Sequence, residues 1–257
     1  MVNLWLMLVQ FIVRLTIGMA VAILLISPRR VSHDFFRLKA WIVMGLSTVA
    51  CLAIAGKKTA FTGSAIDQDV MLWLAISITV CSYITSVFWL YSKPTAARLG
   101  LVAGGVGAFA IAISIESGLS GWVWGTAEVM TSACLLGGTL TTMLLGHWHL
   151  NAPQMDLKPI KRLVAFLAVA LVLRGSLSII GQISGLWAID PNTPTAFLVL
   201  RWLAGLLLPA AMCIMVWFTL KVPNTQSATG ILYAILILVF LGELVAQLAG
   251  MTNVATT

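Results

Sequence analysis

Charged side chains inside apolar runs are the residues whose chemistry stands out. Arg14, Arg174, Arg201 and Glu243 each lie deep within such a run, and Glu128 lies nearer the end of another. An ionisable group at bilayer depth costs roughly 2.5–3.5 kcal/mol on insertion scales, so it is rarely accidental. Each has polar or small company at a spacing of four: Gln10, Arg14 and Gly18; Arg174, Ser178 and Gln182; Arg201, Gly205 and Pro209; Glu243 and Gln247. That spacing puts each set on one face of a helix. Such faces belong inside a helix bundle, turned from lipid.

Two chemistries fit. The groups can lock helices together through ion pairs and hydrogen bonds. Alternatively, three arginines facing Glu128 and Glu243 leave one cation uncompensated, open to an anionic or oxygen-rich ligand. Quinone carbonyls, a lipid phosphate, haem propionates or a transported anion share that chemistry. The pocket candidates are therefore Arg14, Arg174, Gln182, Arg201, Glu243, Gln247 and Glu128. Arg201 and Glu243 fall at similar depth, which predicts a pair between them, with Glu128 in reach.

The three histidines suggest a weaker metal or haem site. His147 and His149 end one apolar run, and His33 lies in a loop on the same side. An i, i+2 pair on a helix diverges by about 200°, so both bind one ion only where the helix has ended. Axial haem ligation wants histidines within facing spans, and none is mid-span. The cysteines, Cys51, Cys81, Cys134 and Cys213, are isolated in apolar runs and read as small buried hydrophobes. Gly100 and Gly104, and Gly181 and Gly185, form GxxxG pairs that predict close helix packing. The sequence holds no nucleotide loop, serine elbow or HExxH.

The elements that must position these groups are membrane helices. Sixty per cent of the 257 residues are hydrophobic and 9 % are charged, against about 25 % charged in soluble domains. A bilayer core needs roughly 20 apolar residues per helix. Eight runs qualify: 3–27, 40–56, 70–91, 99–116, 126–150, 163–187, 195–220 and 229–250. Loop signals separate them, among them Ser27-Pro28, Lys57-Lys58, Lys93-Pro94, Gly118 to Gly125, Asn151-Ala152-Pro153, Asp190-Pro191-Asn192 and Pro223-Asn224. The second and fourth runs are short, which predicts untilted helices or extension into the interface. The first has no basic n-region and carries Arg14 at its centre, so it reads as a retained helix.

The net charge of +7 marks topology, not nucleic-acid binding. Arg29, Arg30, Arg37, Lys39, Lys93, Arg98, Lys158, Lys161, Arg162 and Lys221 fall in or beside the odd loops, and only Lys57 and Lys58 in the even ones. The positive-inside rule then puts both termini outside a bacterial-type inner (plasma) membrane. Trp5, Trp73, Trp122, Trp124, Trp187 and Trp202 fall toward the outer interface, and Trp41, Trp89, Trp148 and Trp217 toward the inner one, as an aromatic belt requires.

Pro28, Arg37, Leu38, Ala40 and Trp41 match Pro153, Arg162, Leu163, Ala165 and Phe166 at a constant offset of 125. This suggests two four-helix halves, 1–125 and 126–257, forming one transmembrane domain as a parallel repeat about the membrane normal. Such a four-plus-four bundle resembles, in topology, the membrane subunits of polysulfide-reductase-type complexes and the haem A synthases, although the mid-span histidines of the latter are missing.

With no loop beyond about fifteen residues, function must reside in the bilayer or in partners. The reading preferred is a non-enzymatic subunit of a redox or energy-converting membrane complex, with quinone or lipid at its polar pocket and other membrane subunits as partners. A small-anion transporter and a non-catalytic scaffold or assembly subunit are the alternatives. The topology is testable by cysteine mapping: Asp34→Cys is expected to react only from the cytoplasmic side, and labelling from outside would overturn the orientation.

Overall fold

The computed structural model describes residues 4–56, 61, 64–120, 122–152, 154–184, 195–222 and 224–254. Expectations for Lys57, Lys58, Pro153, Gly185, Trp187, Asp190 to Asn192 and Pro223 lie outside them. In hydrocarbon every backbone N–H and C=O must find a partner within its own segment, and a helix does this. Eight long apolar helices result: α1 (Leu4–Leu24), α2 (His33–Gly56), α3 (Gln68–Leu90), α4 (Pro94–Ser120), α5 (Trp122–Asn151), α6 (Lys158–Ile183), α7 (Thr195–Thr219) and α8 (Thr225–Val254). Ile183, Val123 and Val222 are among many large apolar side chains left exposed. A water-soluble protein does not tolerate so continuous an apolar surface, so the chain is a multi-pass membrane protein.

The two short runs are longer as helices. α2 begins at His33 and α4 at Pro94, so the expected loop at 28–39 is helical in its second half. The start of α2 is amphipathic and buries Phe35, Phe36 and Lys39. Phe36 stacks on Trp89 with centroids 4.4 Å apart, and the Lys39 ammonium lies 4.5 Å from the centre of the Phe35 ring. The aromatic face accepts the cation as the chain enters the bilayer. Trp89 is therefore core, not belt, whereas Trp5, Trp41, Trp73, Trp122 and Trp217 are exposed at helix ends. The expected break from Gly118 to Gly125 shrinks, since α4 continues to Ser120 and α5 starts at Trp122.

α1 and α5 form the centre, each 72 % buried over its apolar window, against 33–44 % for the other spans. α1, α2, α3 and α4 pack in chain order, and α4 returns to α1. α5, α6, α7 and α8 do the same, with α8 returning to α5. The halves thus share a neighbour order, which a repeat requires; the duplication itself stays an expectation. They meet mainly along α1–α5 and α4–α5. At the basic end Arg30, in the α1–α2 loop, pairs with Asp156, in the α5–α6 loop, at 3.0 Å. The Lys158 backbone N–H, and then the Arg30 charge, hold the Asp156 carboxyl below its usual range.

Small residues set the central crossing. A Cβ on Gly18 would collide with the Ala133 carbonyl, and one on Gly137 with the backbone of Gly18. The tightest approaches are Gly18–Gly137 and Gly205–Gly242, not the GxxxG pairs; Gly100 meets the Thr85 side chain and Gly104 has room. Backbone contact without intervening side chains is how membrane helices gain packing when lipid offers no hydrophobic drive. Overpacking a closed interface costs typically about 1–3 kcal/mol. Gly18→Ala or Gly137→Ala should destabilise by that much in a detergent unfolding titration. Gly175→Ala, which meets open space, should not; equal effects would contradict this crossing.

Candidate functional site

A guanidinium within hydrocarbon must be met by carboxylates, and the second half brings two to one arginine. Arg174, on α6, is 1 % exposed. Its Nε donates to Glu243 Oε1 at 2.7 Å and its Nη2 to Glu243 Oε2 at 3.1 Å. Its Nη1 lies 2.6 Å from Glu128 Oε1. Glu243 comes from α8 and Glu128 from α5, so one side chain ties three helices. Ser132, one turn beyond Glu128 on α5, also donates to Glu243 Oε2. By a rise of about 1.5 Å per residue, Glu128 and Arg201 lie about 9 Å from the ends of their helices, Arg174 about 14 Å and Glu243 about 17 Å. All four occupy the half of the bundle away from the basic loops.

The expected Arg201–Glu243 pair is thus corrected: Arg174 takes the two-pronged position. The geometry explains why. Three donors of one guanidinium fork reach two carboxylates at once, whereas depth along a helix says nothing about which neighbour it faces. Arg201 lies beside this group, and its Nη2 donates to Ser178 Oγ at 3.3 Å.

Arg201 stands on a π-helical segment, Leu200–Leu207, inside α7. Leu208 N–H bonds the Leu203 carbonyl, a five-residue span. Pro209 follows immediately and has no N–H to return to Gly205, which releases the normal ladder. Gly205 faces Gly242 of α8 at backbone contact. Single π turns recur at functional positions. Pro209 and Gly205 were the sequence signals for it, but only the packing partner Gly242 makes the widened turn fit.

A second cluster lies in the first half. Arg14 Nη2 contacts Glu116 Oε2 at 2.7 Å. Gln10 Nε2 donates to the same oxygen at 3.3 Å and to the Ala112 carbonyl at 3.4 Å. Glu116 is not among the residues expected from sequence; it closes the apolar run 99–116, where a carboxylate reads as a helix end. It changes the charge balance: Arg14, Arg174 and Arg201 face Glu116, Glu128 and Glu243, three against three. Among the described residues, then, these intramembrane charges balance, where the sequence led to an expectation of one cation in excess.

Space in the cluster around Arg174 is small. The cavity lined by Arg174, Ser178, Arg201, Gly205, Gly242 and Glu243 is about 10 Å³, room for a single water. Gln247, one turn beyond Glu243, is 7 % exposed, and neither end of its amide has a hydrogen-bond partner among the described residues. The Gln10 carbonyl oxygen and the Trp124 indole N–H are likewise unpartnered there. Gln182 is half-buried near the end of α6, outside this cavity.

The histidines do not converge. His33 Nδ1 meets Ser92 Oγ at 3.1 Å, and His147 Nδ1 meets the Tyr233 hydroxyl at 3.2 Å. His149 is buried, with Nδ1 on the Leu145 carbonyl and Nε2 on the Asp156 carbonyl. Both its nitrogens thus lie against backbone carbonyl oxygens. Among the described residues no group of three His, Cys, Asp or Glu could hold a metal ion. The four cysteines are unbridged.

No family model, curated protein or solved structure matches the chain.

Removing one partner from a buried pair leaves the other charge uncompensated and costs about 3–5 kcal/mol. Glu243→Gln should therefore destabilise the bundle far more than Ile237→Ala on the exposed face of α8. The double variant Arg174→Met, Glu243→Leu, which removes one charge of each sign and keeps Glu128, should recover most of the loss, because a packed apolar pair can replace buried ions. Unfolding in detergent measures all three, and a neutral Glu243→Gln would contradict the network.

Proposed function

We propose that this chain is a multi-pass subunit of a redox or energy-converting complex in a bacterial-type inner membrane, both termini outside, with its polar cluster receiving the head of a quinone or neutral lipid. The observation that carries this reading is Gln247. A buried amide with both ends unpartnered among the described residues costs about 1–3 kcal/mol per orphaned group. A ligand offering a carbonyl and a hydroxyl satisfies both ends, and a quinone/quinol head is of that type.

The charge count supports a neutral ligand. Three arginines balanced by three glutamates give an anion little net attraction, which disfavours the anion-transporter alternative. Polarity without net charge suits ketone, ester or hydroxyl oxygens. Gln247 would hold such a head through both ends of its amide. A quinone would supply two-electron carriage; the residues supply binding and orientation. Because the enclosed space is about 10 Å³, admission requires α7 to part from α8 where Gly205 meets Gly242.

Purification from native membrane in mild detergent tests this. The expected result is stable company with subunits bearing cytochrome or iron–sulfur spectra, and quinone in the organic extract. Gln247→Leu should lower the quinone recovered about tenfold, on the scale of one or two hydrogen bonds, while leaving the assembly intact. A lone protein that moves solute in proteoliposomes would contradict the proposal in favour of a transporter. Stable partners without cofactor or quinone would contradict it in favour of a scaffold.

A further inference from the structure

One cleft stands apart from the intramembrane charges. It lies at the basic end of the bundle, where α1 finishes and α4 and α6 begin, and its volume is about 570 Å³. Its floor is the turn from Leu24 to Arg29, and Arg29, Arg98 and Arg162 bring three guanidinium groups to it. No carboxylate is among the described residues that line it. The one acid of the neighbouring α5–α6 loop, Asp156, is engaged by Arg30 and the Lys158 N–H. Arg98 is steadied by a hydrogen bond from Nη2 to the Ile26 carbonyl at 3.1 Å, which uses one of its five donors.

Apart from Ser27 and Thr95, the rest of the lining is apolar. Leu24, Leu99 and Val102 are exposed and run from the arginines toward the hydrocarbon. The cleft also lies at the seam between the halves. α6 packs on α5 and α7, while the main contacts between halves run through α1–α5 and α4–α5. The space between α6 and the α1–α4 pair is left to be filled by something other than protein side chains.

We propose that this cleft is a binding site for the phosphate headgroup of an anionic phospholipid, whose acyl chains lie along Leu24, Leu99 and Val102. Three cations without a lining acid select an anionic phosphate, and Arg forks match its oxygens in paired hydrogen bonds. The apolar walls select a phosphate that carries chains. Basic pockets between membrane helices on the cytoplasmic side are suited to such headgroups. A lipid seated there would bridge α1 and α4 of one half to α6 of the other. The site is separate from the polar cluster around Gln247 and does not depend on its ligand.

The test uses the full chain, purified and stripped of lipid in a neutral detergent. Binding of phosphatidylglycerol, of phosphatidylcholine and of inorganic phosphate is measured by native mass spectrometry and by the shift in melting temperature. Phosphatidylglycerol is expected to bind and raise the melting temperature, with phosphatidylcholine and inorganic phosphate having little effect. Arg29→Gln with Arg162→Gln, both exposed positions that spare the Arg98–Ile26 bond, should weaken phosphatidylglycerol about 30-fold. The double variant should keep the melting temperature of the lipid-free parent, so that loss of binding is not loss of fold. Equal binding of the two lipids would overturn the proposal. So would unchanged affinity in the double variant, or displacement of the lipid by millimolar inorganic phosphate, which would make the site one for a free anion.

Discussion

Arg174 is the constraint on which the second half of the bundle turns. A guanidinium cannot stay ionised in hydrocarbon alone, and its desolvation is offset only when well-placed carboxylates surround it. Glu243 meets it through two hydrogen bonds, and Glu128 lies at 2.6 Å on its other side. With Ser132 also on Glu243, this fixes the rotation of α5, α6 and α8 about their own axes. Packing alone would leave those rotations weakly specified, since lipid-facing and protein-facing side chains are equally apolar. The apolar contacts hold the helices close, and the ion cluster selects one register among many close ones.

The same logic acts more lightly in the first half. Arg14 and Glu116 tie α1 to α4, and Gln10 supports Glu116 from one turn away. Because α1 crosses α5 at Gly18 and Gly137, the two charge systems face each other across a seam with little side-chain bulk. The far half of the molecule thus carries both charge clusters, while the basic end is held by aromatic stacking and a surface pair. Local softness in this interior is expected at the π segment of α7, where the regular ladder is interrupted beside Arg201.

The span count was legible because twenty-residue apolar runs have one structural outcome in a bilayer. Run ends were less so. His33 to Lys39 and Pro94 to Arg98 are polar in sequence yet helical, since helices continue into the interface, where aromatic rings shelter Lys39. Which residues face inward was also legible: Arg14, Arg174, Arg201, Glu128, Glu243 and Gln247 are all buried. Their pairing was not. Periodicity gives a face and a depth, but choosing Arg174 over Arg201 for Glu243 needs helix rotations that no single helix encodes. Glu116 closes an apolar run, where a carboxylate reads as a helix end, and with it the described charges balance. The π turn needs Gly242, 37 positions from Gly205, to be recognised.

A double-mutant cycle between Arg174 and Glu243 measures the central claim most directly. Arg174→Met, Glu243→Leu and the pair together would be compared by reversible unfolding in detergent micelles. The predicted coupling is about 2–3 kcal/mol, above that of ordinary membrane hydrogen bonds. The double variant should then be more stable than the sum of the single losses implies. A coupling below about 0.5 kcal/mol, within the scatter of independent sites, would contradict the view that Arg174 sets the register of the bundle.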